Sequence, residues 1–291
     1  EAERLTYAGL EDQAARIGGA MLSSHGLKPG SRVGIAMENC AEILPVIYGA
    51  WRAGMTVVPM NSKLHPREMA WILKNSQAKL CVATPELAKS MSVMSDEEWP
   101  PIVVSGTRDY EALLTADGIL GLPGDPDDVA WLFYTSGTTG RPKGAQLTHR
   151  NLLVMMYAYF ADVEPVGPGD TCLHAAPLSH GSGMWALTFL TRGGHNVVLP
   201  GSFDPDRVYA AIARYSNVSM FAAPTMVVRL INAPRAGSAD TRNLRTLSYG
   251  GAPMYVADTK KGLELFGPKL HQLYGQGEAP MTITHLPKSM H

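Results

Sequence analysis

The sequence predicts an α/β fold, and three observations carry that expectation. Short apolar runs rich in Val, Ile and aromatic residues recur along the chain. Stretches with apolar residues at helical spacing lie between them. The two patterns alternate from one end to the other, which argues for parallel or mixed sheets with crossover helices.

Taken in order, Leu10, Ala14, Ile17 and Met21 fall on one helical face, and RVGIAM (32–37) reads as the first buried strand. AEILPVIYGAWRAG and PREMAWILKNS supply the next helical patterns, followed by the strand-like runs KLCVA (79–83) and PIVVS (101–105). Pro123, Gly124 and the acidic run 125–128 form the most linker-like stretch, so the chain is divided into α/β subdomains at 1–122 and 123–291. VAWLFYT (129–135), HNVVLP (195–200), VSMFAA (218–223) and RTLSYG (245–250) read as later strands. THRNLLVMMYAYFA, DPDRVYAAIARY and PMYVADTKKGLELF read as later helices. No repeat at a fixed period and no low-complexity tract interrupts the pattern.

With 291 residues the chain is long enough to bury a sizeable core, at roughly 150 residues per domain. Lys plus Arg (25) nearly balance Asp plus Glu (26), so the charge footprint of a nucleic-acid binder is missing. Cys40, Cys81 and Cys172 are widely spaced and odd in number, which reads as buried apolar residues rather than a zinc cluster or a disulfide framework. No apolar stretch reaches the ~18 residues of a membrane span. The chain has no signal peptide and no initiator Met, and EAERLTYAGL already runs into a helix. The expectation is a cytoplasmic protein whose start has been cut.

YTSGTTGRPKG (134–144) concentrates the chemistry. Gly137, Gly140 and Gly144 permit close backbone approach, Thr135, Ser136, Thr138 and Thr139 offer hydroxyl donors, and Lys143 adds a positive charge beside Pro142. Set between a strand and a helix expected to start near Thr148, with His149 as a helix-start residue, the loop reads as a cradle for anionic oxygens at the carboxyl end of a strand. It is not a Walker A loop, because Gly144 stands where Ser or Thr must follow the lysine.

This loop resembles the signature phosphate loop of the adenylate-forming superfamily, which includes acyl-CoA synthetases, luciferase-like enzymes and adenylation domains. Further stretches follow in the family's order: YGAWRAGMTVVPMNSKLHPRE (48–68), AAPLSHGSG (175–183), SYGGAP (248–253) and HQLYGQGEAPMTIT (271–284). The resemblance covers nearly the whole chain. It implies the large N-terminal domain of that fold, with mixed or parallel sheets stacked and helices between them. The implied reaction is ATP-dependent activation of a carboxylic acid to acyl-AMP and then to an acyl-CoA thioester.

The resemblance also assigns residues. Thr135, Ser136, Gly137, Thr138, Thr139, Gly140 and Lys143 would hold the β- and γ-phosphates, and Thr135 with Glu278 would hold Mg²⁺. Gly250, Gly251, Ala252 and Pro253 would pass beside adenine, with Gln272, Tyr274, Gly275, Gln276 and Gly277 completing the nucleotide site. Lys143, His180 and Glu278 are the candidate catalytic residues. His180, Met184, Trp185, Ser248, Tyr249 and Met254 would border the acid, and their apolar or aromatic character suits a fatty or aromatic acid. Coenzyme A is the implied acceptor, and a homodimer is the assembly to test.

Departures from the family pattern bear on the expectation. Gly277 replaces the usual threonine of the last motif, removing a hydroxyl donor, and Gly181 follows His180 where amino-acid-activating modules place an Asp, which disfavours an amine substrate. The chain stops before the family's ribose-binding Asp, hinge and small C-terminal domain, so a fragment impaired alone is expected. An acyl-AMP ligase serving a carrier-protein thiol and a non-catalytic nucleotide- or acyl-binding protein are the alternative readings.

Overall fold

The computed structural model describes residues 4–94, 98–135 and 141–291. The chain divides into two compact units, 1–151 and 152–291. The described residues form two sheets of six strands each.

In the first unit α1 (Tyr7–Ser23) starts where the Thr6 hydroxyl accepts the Gly9 N–H at 3.1 Å, and it buries Ala14, Ile17, Ala20 and Met21. The strands β1 (Arg32–Ala36), β2 (Thr56–Pro59), β3 (Leu80–Ala83), β4 (Ile102–Val104), β5 (Val129–Thr135) and β6 (Lys143–Thr148) lie in the order β4-β3-β1-β2-β5-β6. All neighbours pair parallel except β5 and β6, which are antiparallel. The helices α2 (Ile43–Arg52), α3 (Pro66–Asn75), α4 (Pro85–Ser92) and α5 (Arg108–Thr115) make the crossovers. β2 and β3 are buried at every residue, which explains their continuous apolar sequence. The start of α3 is set by a reciprocal cap: the His65 ring accepts the Arg67 N–H, and Glu68 accepts the His65 N–H.

The expected boundary at 122/123 moves to the end of this unit. Trp131 of β5 registers with Val57 of β2, the Thr56 hydroxyl donates to the Val129 carbonyl, and the Trp51 indole donates to the Ala130 carbonyl. Residues 129–148 are therefore strands of the first sheet. α6 (His149–Asp162) follows and continues into the second unit.

The second unit contains β7 (Thr171–His174), β8 (His195–Val198), β9 (Val218–Ala222), β10 (Leu244–Tyr249), β11 (Leu270–Gln276) and β12 (Ala279–Leu286), ordered β12-β11-β10-β9-β7-β8. Only the β11–β12 pair is antiparallel. Its helices are α7 (Gly181–Leu190), α8 (Pro205–Arg214), α9 (Pro224–Ile231) and α10 (Val256–Phe266). α8, α9 and α10 pack on Val218, Met220, Leu247 and Leu270, which are buried in one cluster. Among the described residues no helix is long and apolar enough to cross a membrane.

Candidate active site

In the first unit the phosphate-loop motif begins and ends on the β5–β6 hairpin. Thr135 closes β5 and registers directly with Lys143, which opens β6. The expected strand-to-helix turn is thus corrected to a strand-to-strand connection, because KGAQLT pairs as an exposed edge strand before α6 begins. Ser136, Gly137, Thr138, Thr139 and Gly140 lie outside the described residues. The base of the connection is tied to α3: Tyr134 donates to Asn75 Oδ1 at 2.6 Å, the Trp71 indole donates to the Pro142 carbonyl at 3.3 Å, and Arg141 lies 4.6 Å over the Trp71 ring. Gly144 sits under the Tyr134 ring, where a Cβ would come within 2.9 Å of ring carbons. The cross-strand contact with Tyr134 accounts for a glycine at this position. Lys143 is exposed.

In the second unit the candidate residues follow the carboxyl ends of parallel strands. The loop after β7 carries His180, the loop after β10 carries Gly250–Pro253, and the turn after β11 carries Gly277 and Glu278. Because β7, β9, β10 and β11 run parallel, these segments leave the same end of one sheet, the end where open α/β sheets bind ligands.

His180 caps α7, its carbonyl accepting the Gly183 and Met184 N–H groups at 3.0 and 3.3 Å. Its Nδ1 lies 2.9 Å from the Ser179 hydroxyl. Burial lowers its pKa from the ordinary 6.5, which favours the neutral ring at pH 7. The start of α7 is anchored from below by buried His174, whose ring reaches Ser182 Oγ at 2.9 Å and Asn196 Oδ1 at 2.8 Å. Burial pushes His174 down to about 4, which keeps this link uncharged.

Gly250 fits against β11, since a Cβ there would meet the Leu273 carbonyl oxygen at 2.5 Å; Gly251 turns away at φ +84° with open space beside it. Ala252 is exposed and Pro253 follows it in the same turn. Gln272 and Tyr274 share one face of β11, opposite His271 and Leu273. Tyr274 is 50% exposed, and the Gln276 amide donates to its hydroxyl at 2.9 Å. Gly277 and Glu278 form a two-residue turn between the paired Gln276 and Ala279, and Glu278 is exposed at its tip.

Behind this turn the hairpin is irregular. Register passes from Gln276↔Ala279 to Tyr274↔Thr284, so Gly275 alone faces residues 280–283. A Cβ on Gly275 would lie 2.2 Å from the Met281 backbone nitrogen, and Met281 itself takes the left-handed conformation at φ +58°. Met281 then lines a cavity of about 100 Å³ together with Met155, Trp185, Leu273 and His271.

The structure separates the expected acid-site residues. Met184 is fully enclosed in α7 and adds no surface. Trp185 is buried edge-on against Tyr159 and Phe221 yet lines the cavity. Ser248 and Tyr249 are buried on β10, hydrogen-bonded to His271 and His291, and Met254 packs half-buried on the core. Sequence reasoning passed over Met281, His271 and His285, which the hairpin brings together; their meeting depends on the register of β11 with β12, which no local pattern signals. Among the described residues no group of three or more His, Cys, Asp or Glu is placed to hold a metal ion.

A buried carboxylate organises the remainder of the second sheet. Glu164 accepts hydrogen bonds from Ser219, Thr246 and Tyr159 and pairs with Arg245 at 3.1 Å and Lys288 at 3.2 Å. Burial alone would raise its pKa, but the Ser219 and Thr246 hydroxyls and the two cations outweigh that and hold it below the usual value.

A family model described as AMP-binding enzyme matches residues 1–291. A feruloyl-CoA synthase from Amycolatopsis sp is 35% identical over 277 residues, which cover 94% of this chain and 55% of the relative. A 3-hydroxybenzoate/4-hydroxybenzoate CoA ligase from Thauera aromatica is 30% identical over 297 residues, covering 95% of this chain and 55% of the relative. A crystal structure of ATP-bound MatB from Rhodopseudomonas palustris superposes with a TM-score of 0.87 at 27% identity, covering 99% of this chain and 57% of that one. The chain spans about half the length of the curated relatives it matches.

Proposed function

The chain belongs to the AMP-binding enzyme family, and on that premise we propose that it carries the nucleotide- and acid-binding part of an AMP-forming acid–thiol ligase with coenzyme A as acceptor. The observation that carries this reading is the placement of His180, the Gly250–Pro253 turn and the Gly277–Glu278 turn beyond the carboxyl ends of β7, β10 and β11 in one sheet.

A carboxylate is a poor electrophile, and the proposed reaction remedies this in two displacements. The acid's oxygen attacks the α-phosphorus of ATP, an O–P bond forms, and pyrophosphate leaves. A thiol sulfur then attacks the acyl carbon and AMP leaves. The protein's task is to position the groups in line and to neutralise charge on phosphate oxygens. Lys143, on the strand opposite Thr135, offers an ammonium to those oxygens, with the Thr135 hydroxyl as donor.

Gly251, on the open side of its turn, admits a flat ring beside Tyr274 and Gln272. Glu278 presents a hard oxygen donor at an exposed turn, the kind that Mg²⁺ takes singly or in pairs beside phosphates and water. When bound, Mg²⁺ supplies neutralisation of phosphate charge. His180, neutral and held at Ser179, borders the acid as a hydrogen-bonding group. The names of the relatives support a fatty or aromatic acid as substrate, with coenzyme A the acceptor in most of those names and a carrier protein in one.

The test is carboxylate-dependent ATP–pyrophosphate exchange over short, long and aromatic acids, in the protein that contains this chain. Exchange with fatty or aromatic acids that falls in Lys143→Ala and Glu278→Ala supports the reading. ATP binding without exchange for any acid sinks it in favour of a nucleotide-binding protein.

A further inference from the structure

The cavity beside β11 and β12 has two chemically distinct sides. Trp185, Leu273 and Met281 make up the apolar side and His271, His285 and Asp162 the polar side, the two meeting where Leu273 registers with His285. The apolar side adjoins His180's neighbour: a Cβ on Gly181 would lie 3.3 Å from Met281 Sδ. Its volume of about 100 Å³ is below the ~150 Å³ of a dry cavity that binds benzene, so it accommodates the end of a ring or chain and not a whole aromatic acid.

The polar side is a directional chain of hydrogen-bonding groups. Ser248 Oγ lies 3.0 Å from His271 Nδ1, and His271 Nε2 lies 3.3 Å from His285 Nδ1. His285 Nε2 then faces Asp162 Oδ1 across 4.0 Å. A carboxylate accepts only, so His285 presents its N–H to Asp162 and accepts at Nδ1 from His271, which in turn accepts from Ser248. The last gap is too long for a direct hydrogen bond. An oxygen that accepts from His285 and donates to Asp162 completes the chain. A hydroxyl does both, whereas a methyl, halogen or alkyl terminus does neither.

We propose that this cavity receives the end of the acid remote from its carboxylate, and that His285 and Asp162 select acids bearing a hydroxyl there. The inference rests on the acid-activation reading above and narrows its substrate class to hydroxylated aromatic acids. His271 and Ser248 are positioning residues, because they fix which nitrogen of His285 carries the proton. His285 and Asp162 are partly exposed, so water competes for the gap and the expected preference is about tenfold, the scale of one well-placed hydrogen-bonding pair.

Calorimetric titration of this chain with 4-hydroxycinnamate and with cinnamate reads that preference as a ratio of Kd values. The phenol's ultraviolet band gives a second signal, since a change of environment at the hydroxyl shifts it. A ratio near ten that falls toward one in Asp162→Ala and in His285→Phe supports the proposal. Each variant carries its own control, because the ratio compares two ligands on the same folded protein, and both side chains lie where truncation leaves the sheet intact. A ratio near one in the unaltered chain, or a preference that survives both substitutions, overturns the proposal while leaving acid activation standing. Failure of both acids to bind, together with pyrophosphate exchange absent for every acid, overturns acid activation and this inference with it.

Discussion

The two units each close a parallel sheet with an antiparallel hairpin, and the two hairpins are held by different means. β5–β6 is fixed by side chains reaching from α3, namely Asn75 to Tyr134 and Trp71 to the Pro142 carbonyl. β11–β12 is fixed by backbone proximity, with Gly275 pressed against the Met281 nitrogen and a turn of only two residues. The sheets beneath them differ as well. β2 and β3 are enclosed and almost wholly apolar, whereas the second sheet buries His174, His271 and the residues that bind Glu164. Side-chain struts yield to small changes, but backbone contacts and buried charges do not. The second unit is therefore the one expected to be exacting in sequence and sensitive to protons.

The largest expected effect tests the buried charge. Glu164→Ala leaves Lys288 without its carboxylate, Arg245 with Asp170 alone, and the buried Ser219, Thr246 and Tyr159 hydroxyls without their acceptor, and should cost about 3 kcal/mol, read as a drop in the urea midpoint of this chain. An unchanged midpoint would erase the contrast between the units. The pH dependence sharpens it. The folded pKa of Glu164 lies below its ordinary 4.5, so its stabilisation is complete above that value and is lost as pH falls through the lower, folded one. Glu164→Gln should flatten the acid limb of the stability curve below about pH 4.5, a window in which wild type weakens.

Activity comes next. Glu278→Ala should lower pyrophosphate exchange by about 10²-fold, the usual size for one preorganised electrostatic group. Lys143→Ala should cost less, about tenfold, because a strongly hydrated ammonium on a flexible four-carbon stem is less preorganised than a carboxylate on a two-residue turn. The reverse order would make the first hairpin the more exacting one.

The smallest effects separate backbone from side-chain fixation. Gly275→Ala drives a Cβ into the Met281 backbone and should cost about 2–3 kcal/mol. Gly144→Ala meets only the far end of the Tyr134 side chain and no backbone atom, and should cost about 1 kcal/mol or less. Equal shifts in thermal midpoint would break the distinction.

What the sequence made legible follows the same division. The strands at 32–36, 80–83 and 218–222 were readable because burial of nearly every residue forces largely apolar runs. β6 was not, since an edge strand that keeps lysine, glycine and glutamine exposed has no apolar pattern to recognise. α7 escaped for the opposite reason: it is buried on nearly all sides, so GSGMWALTFL shows no amphipathic period. The motifs identified His180, the 250–253 turn and Glu278, which stand at strand ends as motif position implies. Met281, His271 and His285 were hidden because their meeting depends on a four-residue irregularity in β12, which no short-range pattern encodes.

That irregularity partitions the hairpin. The pair Gln276↔Ala279 brackets the turn that carries Glu278, and register resumes only at Tyr274↔Thr284. Residues 280–283 lie between these fixed points and belong to neither ladder, and Met281 among them lines the cavity. The hairpin thereby works as two parts, a paired tip that fixes where the Glu278 carboxylate stands and an unpaired segment whose side chains shape the cavity wall.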